Sequence, residues 1–161
     1  MSMPEVGDKA PEIALPDESG AVHRLSDQQD RWTILYFYPK DDTPGCTVEA
    51  CEFRDANETI HERGADVWGV SPQGAASKRA FREKFGLPFI LLADEDHQVA
   101  EAYGSWVEKE NYGKTYWGVA RRTFLIGPDG RVARVWPKVK PEGHAAEVLQ
   151  ALDAEQAARV G

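Results

Sequence analysis

Cys46 and Cys51 are the only thiols in this 161-residue chain, and both lie in one stretch, TPGCTVEAC, residues 43–51. The stretch reads as the start of a helix, with Thr43 able to cap it and Pro44 tolerated in its first turn. Cys46 then sits where unpaired backbone N–H groups and the positive end of the macrodipole favour an anion. A thiolate is such an anion, and it is the nucleophilic form of the side chain. On an ideal helix, Cα atoms five residues apart stand ~8.6 Å from each other, beyond the ~6.8 Å reach of a comfortable disulfide. A bond between the two cysteines therefore requires the first turns to unwind. That suits a cycle in which Cys46 reacts in the folded helix and Cys51 reaches it after local opening. A C-x-x-C dithiol needs no such movement. The chemistry that fits is oxidation of Cys46 by a peroxide to a sulfenic acid, which condenses with a second thiol.

Composition leaves the thiols free for this work. A chain of 161 residues is expected to form one domain with a core that needs neither disulfides nor metal as scaffolding. The longest apolar stretch, Ile34 to Tyr38, is far too short to cross a bilayer, so no membrane partner is expected. Asp and Glu outnumber Lys and Arg by 27 to 19, for a formal charge of −8, and no basic block appears. Nucleic acid is therefore not an expected partner. The N-terminal MSMPEVGDKAPEI lacks the basic and apolar regions of a secretory signal, which makes a cytoplasmic location the expectation. In a reducing compartment, closely spaced cysteines point to metal binding or redox catalysis rather than a structural bridge. The histidines His23, His61, His97 and His144 fall in separate predicted elements without ligand spacing, so no metal or other cofactor is expected. The acidic turn DEDH, 94–97, reads as a helix cap.

Period and punctuation supply the elements that must position the cysteines. Ile13 to Leu15 and Ala21 to Leu25 flank the turn PDESG as an N-terminal β-hairpin. Thr33 to Tyr38, TILYFY, is apolar on both parities and predicts a central strand covered on both faces. A helix is predicted from Pro44 to Glu62, a strand over 65–71, a helix over 75–85 closed by Gly86, a strand from Leu87 to Ala93, and a short helix from Gln98 to Tyr103. The stretch from Gly104 to Gly118 is polar and aromatic without a period and is expected to be an irregular surface excursion. RRTFLIGPDGRVARVW signals a hairpin, and a last helix is expected from Glu142 to Gln156, with Ala146, Leu149 and Leu152 on its apolar side. This order predicts an α/β fold with a central mixed sheet flanked by helices. In a thioredoxin-like core of this kind the functional cysteine sits where a central strand feeds a helix.

The stretch YPKDDTPGCTVEACEFRD, Tyr38 to Asp55, closely resembles the active-site region of peroxiredoxins of the bacterioferritin comigratory protein class, also called PrxQ. The resemblance continues through GDKAPEIALPD, WGVSPQ, KFGLPFILLAD, VAEAYGSW and RRTFLIGPDGRV. It implies a thioredoxin-like fold and a thiol peroxidase in which Cys46 is the peroxidatic and Cys51 the resolving cysteine. The family pattern P-x-x-x-T-x-x-C falls on Pro39, Thr43 and Cys46. The family's arginine falls on Arg121, by its spacing to Thr123 and Phe124, rather than on Arg122. The resemblance also implies that Glu49 helps to orient that arginine. Peroxide substrates, reduction of a Cys46–Cys51 disulfide by thioredoxin or a similar dithiol protein, a role in antioxidant defence and a monomeric state are implied too, again without metal, haem or flavin. A disulfide reductase acting on proteins and a redox sensor are the competing readings; the C-x-x-x-x-C spacing and Thr43 argue against the first.

Overall fold

A computed structural model of the chain describes residues 3–160. The elements in order are β1 (Ala14–Pro16), β2 (Val22–Arg24), a 3₁₀ turn (Leu25–Asp27), β3 (Trp32–Phe37), α1 (Pro44–Glu62), β4 (Ala65–Ser71), α2 (Ala75–Phe85), β5 (Ile90–Ala93), α3 (Gln98–Ala102), β6 (Trp106–Asn111), β7 (Lys114–Val119), β8 (Arg122–Ile126), β9 (Val132–Trp136) and α4 (His144–Val160). β1 and β2 form the expected antiparallel N-terminal hairpin. The main sheet has the order β5-β4-β3-β8-β9, parallel from β3 through β5 and antiparallel from β3 through β9.

β3 is the middle strand, and all six of its residues are buried, as its unbroken apolar run predicts. Its alternate side chains feed two separate cores. Trp32, Ile34 and Tyr36 point to the face covered by α1 and α4, where they meet Phe53, Ile60, Val148 and Leu152. Leu35 and Phe37 point to the opposite face, which Ile13, Leu15, Val99 and Tyr103 cover from the N-terminal segment and α3.

Gly69 in β4 pairs with Tyr36 in β3, and its missing side chain is what lets the tyrosine ring lie flat beneath α1. A Cβ at position 69 would stand 2.9 Å from the Tyr36 hydroxyl and 3.0 Å from Leu91 Cδ2. Tyr36 in turn stacks on Phe53 of α1, ring centroids 5.0 Å apart. Gly69→Ala is expected to destabilise the fold by about 1–3 kcal/mol through overpacking, seen as a lower urea midpoint at unchanged slope.

Several expectations need correction. Residues 104–118 are not irregular: β6 and β7 pair antiparallel through a two-residue loop, Tyr112 and Gly113, both at positive φ (53° and 77°). This is the geometry of a primed hairpin turn. Neither flanking strand alternates cleanly because most of the hairpin is exposed, so no buried face imposes a period of two. β5 begins at Ile90 rather than at Leu87, since Pro88 has no N–H to give a ladder. In α4 the buried stripe is His144, Ala145, Val148, Ala151 and Leu152, while Ala146 faces solvent. α4 runs from His144 to Val160 rather than from Glu142 to Gln156, and β1, β2, β3 and α3 differ from expectation by a residue at their ends. α1 and α2 span the predicted residues, and Gly86 closes α2 in the left-handed conformation at φ 60°. The acidic turn caps as expected, with Asp94 accepting from the amides of Val99 and Ala100 at 3.2 and 2.8 Å.

Candidate active site

At its C-terminal end β3 passes into a six-residue loop, 38–43, which delivers the chain to α1 with Cys46 in its first turn. Cys46 is buried, Cys51 is half-buried, and both are free thiols in a continuous helix. Thr43 occupies the cap position with extended backbone, but its side chain does not cap. Its hydroxyl donates instead to the Lys40 carbonyl at 2.9 Å, tightening the loop. The first amides of α1 thus keep no side-chain acceptor from Thr43, and the positive end of the helix is left for the sulfur three residues on.

Arg121 comes from just before β8, the strand antiparallel to β3, and so arrives at the same end of the sheet as the start of α1. Its Nη2 donates to Cys46 Sγ at 3.2 Å and its Nη1 to Glu49 Oε1 at 2.7 Å. Arg122 turns the other way, donating to the Pro137 carbonyl at 3.1 Å. Strand alternation had made the two arginines exclusive, and Arg121 is the one at the sulfur. Gly45 makes room for it: a Cβ there would stand 3.2 Å from Arg121 Nη2.

Glu49, one turn after Cys46, is almost wholly buried, and only one of its oxygens is paired. Burial pushes its carboxyl up to about 7, against the pull of the Arg121 guanidinium. The sign of the stability effect follows. Between about 4.5 and about 7 the folded state holds a proton that the unfolded chain has released, so the Glu49 contribution falls as pH rises through that window. Glu49→Gln removes the dependence. Its unfolding free energy is expected to improve relative to wild type between pH 5 and pH 8 by up to about 3 kcal/mol, measured by urea titration at both values.

Pro39 is half-buried at the start of the loop, its carbonyl accepting from Gln73 Nε2 at 3.1 Å. The structure thus brings Cys46, Glu49 and Arg121 into direct contact, places Pro39 and Thr43 in the loop leading to them, and sets Cys51 further along α1. Sequence reading missed Gly45, whose only signal is a glycine in a first helical turn. Lys109 of β6 is half-buried, and burial together with the charge of Arg121 holds its pKa down. A cavity of about 490 Å³ lined by Ser26, Thr33 and Gly127 lies at the opposite end of β3 and contains no thiol. Among the described residues no cluster of His, Cys, Asp and Glu could hold a metal ion.

The AhpC/TSA family profile matches residues 6–135. Peroxiredoxin Bcp of Bacillus subtilis is 49% identical over 148 residues, covering 92% of this chain and 94% of its own. Peroxiredoxin Bcp of Escherichia coli is 45% identical over 145 residues, covering 90% and 93%. Among solved structures, PrxQ of Xylella fastidiosa superposes with a TM-score of 0.91 at 36% identity, covering 97% of this chain and 99% of its own. The bacterioferritin comigratory protein of Xanthomonas campestris does so at 0.88 and 36%, covering 96% and 97%. These neighbours share the thioredoxin-like peroxiredoxin fold. With 49% identity along nearly its full length and a thiol held by an arginine at the head of α1, the chain belongs to the AhpC/TSA family and, within it, to the Bcp/PrxQ peroxiredoxins, thiol-dependent peroxidases.

Proposed function

We propose that the protein reduces hydrogen peroxide and alkyl hydroperoxides in a two-cysteine cycle within one chain, as antioxidant defence in the cytoplasm. The observation that carries this reading is the Arg121 guanidinium spanning Cys46 and Glu49, with Cys51 five residues along the same helix. The Cys46 thiolate attacks the nearer peroxide oxygen; the S–O bond forms as the O–O bond breaks, and the leaving alkoxide or hydroxide takes up a proton. Cys46 is oxidised to a sulfenic acid and the peroxide is reduced to alcohol or water. Arg121 is placed to stabilise the thiolate before attack and the charge growing on the departing oxygen during it. The Thr43 hydroxyl donates its hydrogen bond to the Lys40 carbonyl, so its lone pairs remain to accept from a peroxide O–H; donation to the thiolate is the role this geometry gives up. Pro39 shields the sulfur from the loop side.

Cys51 then attacks the sulfenic sulfur, forming the Cys46–Cys51 disulfide and releasing water. A thioredoxin-type dithiol protein takes up the oxidation by thiol–disulfide exchange, restoring both thiols as its own pair becomes a disulfide. One domain acting as a monomer suffices, since both cysteines and the arginine come from one chain. The Xanthomonas relative, described with its alkyl peroxide reduction activity, supports the substrate class. The test is rapid mixing of reduced protein with one equivalent of hydrogen peroxide, following free thiols and tryptophan fluorescence. Fast loss of both thiols per peroxide is expected; reaction no faster than that of an unactivated thiol overturns the reading.

A further inference from the structure

Lys78 is 0% exposed, although it lies in the first turns of α2, where burial and the helix dipole both disfavour a cation. It is held by a closed polar cluster. Its Nζ donates to Ser71 Oγ at 2.5 Å and stands 3.5 Å from Asp41 Oδ2. Asp41 is itself buried in the loop before α1 and accepts from Tyr38 OH at 2.5 Å and Ser77 Oγ at 2.8 Å. Gln73 closes the loop from the same side: its Oε1 accepts from the Asp41 amide at 3.0 Å and its Nε2 donates to the Pro39 carbonyl at 3.1 Å. At the rim, Lys84 of α2 pairs with Asp42, which sits at φ 57°, at 2.8 Å.

Apart from the Tyr38–Asp41 bond within the loop and the Lys78–Ser71 bond between α2 and β4, these tethers run from the loop to the segment from β4 through α2, and none runs to α1. The loop carries Pro39 at one end and Thr43 at the other, while Cys46 itself is held by Arg121. A buried cation on the far side of the loop, touching no reacting atom, is costly unless its placement of Asp41 matters. We propose that Lys78 is a positioning residue for the catalytic loop, fixing through Asp41 where Pro39 and Thr43 stand relative to Cys46. The inference rests on the peroxidase reading of Cys46.

Loop geometry governs how a peroxide is seated, whereas alkylation of Cys46 by iodoacetamide needs only an accessible thiolate. The ratio of the two rate constants cancels the thiolate fraction and isolates the seating. For Lys78→Met the ratio is expected to fall about 100-fold, the penalty of a misplacement on the scale of 1 Å. Wild type supplies a second reading that needs no variant. Burial pulls the Lys78 ammonium down to about 8 against Asp41, Asp94 and Glu95, the carboxylates around it, with Tyr38 and Ser71 its neutral neighbours. Above that pH the pair with Asp41 is lost, so the wild-type ratio is expected to drop as pH rises past about 8, and the Lys78→Met ratio to stay level there. Titration of Glu49 affects both proteins alike near its own lower value. A wild-type ratio that is flat through this range, or a Lys78→Met protein as fast with peroxide as wild type, overturns the positioning role and leaves the peroxidase reading intact. A wild type with no fast peroxide reaction overturns both.

Discussion

Arg121→Gln is expected to slow the reaction of Cys46 with hydrogen peroxide by about 100- to 1000-fold, the range seen when one preorganised donor is removed from a site of developing charge. Glutamine keeps most of the reach but loses the charge. The donor at 3.2 Å from Cys46 Sγ and the positive charge facing the departing oxygen go together. A second consequence reaches Glu49, which would be left buried without its cation. Breaking a buried pair costs on the order of 3–5 kcal/mol when the orphaned group must stay charged. Glu49 is already pushed up to about 7 by burial, so at neutral pH it escapes much of that cost by taking a proton. The stability loss is therefore expected to be small at pH 6 and larger at pH 8, while the rate loss is present at both. Stopped-flow mixing gives the rate and urea unfolding the stability. Arg122→Gln is the matched control, because Arg122 is spent on the Pro137 carbonyl and its loss should leave the peroxide rate near wild type. If the two variants lost equal rate, the assignment of Arg121 would be wrong.

The skeleton of this site was legible because it is local. A strand apolar on both parities, a proline-glycine break and a helix with cysteines at i and i+5 all leave marks within a few residues. The boundaries of α1 and α2 agree with them. What joins distant segments left weaker marks. Arg121 and Arg122 could be separated only by alternation and a resemblance, since which face of β8 meets α1 is a property of the sheet order. Thr43 carries the signal of a helix cap, and the sequence gives no hint that the Lys40 carbonyl outcompetes the helix for its hydroxyl. Lys78 had a readable clue that was passed over. It precedes Phe81 by three residues and Phe85 by seven, which puts it on the apolar face of α2. A lysine there is either mispatterned or neutralised, and its partner, Asp41, lies 37 residues upstream. The β6–β7 hairpin was missed for the opposite reason: its pairing is carried by backbone bonds and a Tyr-Gly turn, while its side chains face water.

Cys51→Ser is expected to leave the first step at its wild-type rate, to accumulate a dimedone-trappable sulfenic acid at Cys46, and to lose thioredoxin-driven turnover. The reason lies in how α1 is fastened. As far as Glu52 it is held by Arg121 on Cys46 and Glu49, by the Gly143 amide donating to Glu52 at 2.8 Å, and by burial of Cys46 and Ala50. From Phe53 onward the helix is fixed more firmly, with that ring stacked on Tyr36 and set edge-on against His144. Bringing Cys51 to Cys46 therefore requires opening the helix as far as Phe53 and no further. Glu49 lowers the cost of this opening. Its upward shift means that the folded turns penalise the carboxylate, and unwinding returns it to water. Opening becomes easier as pH rises from about 4.5 to about 7 and levels off above that, so over this window disulfide formation should rise more steeply with pH in wild type than in Glu49→Gln. Amide exchange tests the geometry directly: oxidised wild type is expected to lose protection at residues 44–51 and to keep it beyond Phe53, while oxidised Cys51→Ser, which has no second thiol to capture, keeps protection throughout. Identical protection across residues 43–55 in reduced and oxidised wild type would overturn the unwinding step and, because an intact α1 holds the two cysteines too far apart, the intrachain Cys46–Cys51 bond with it.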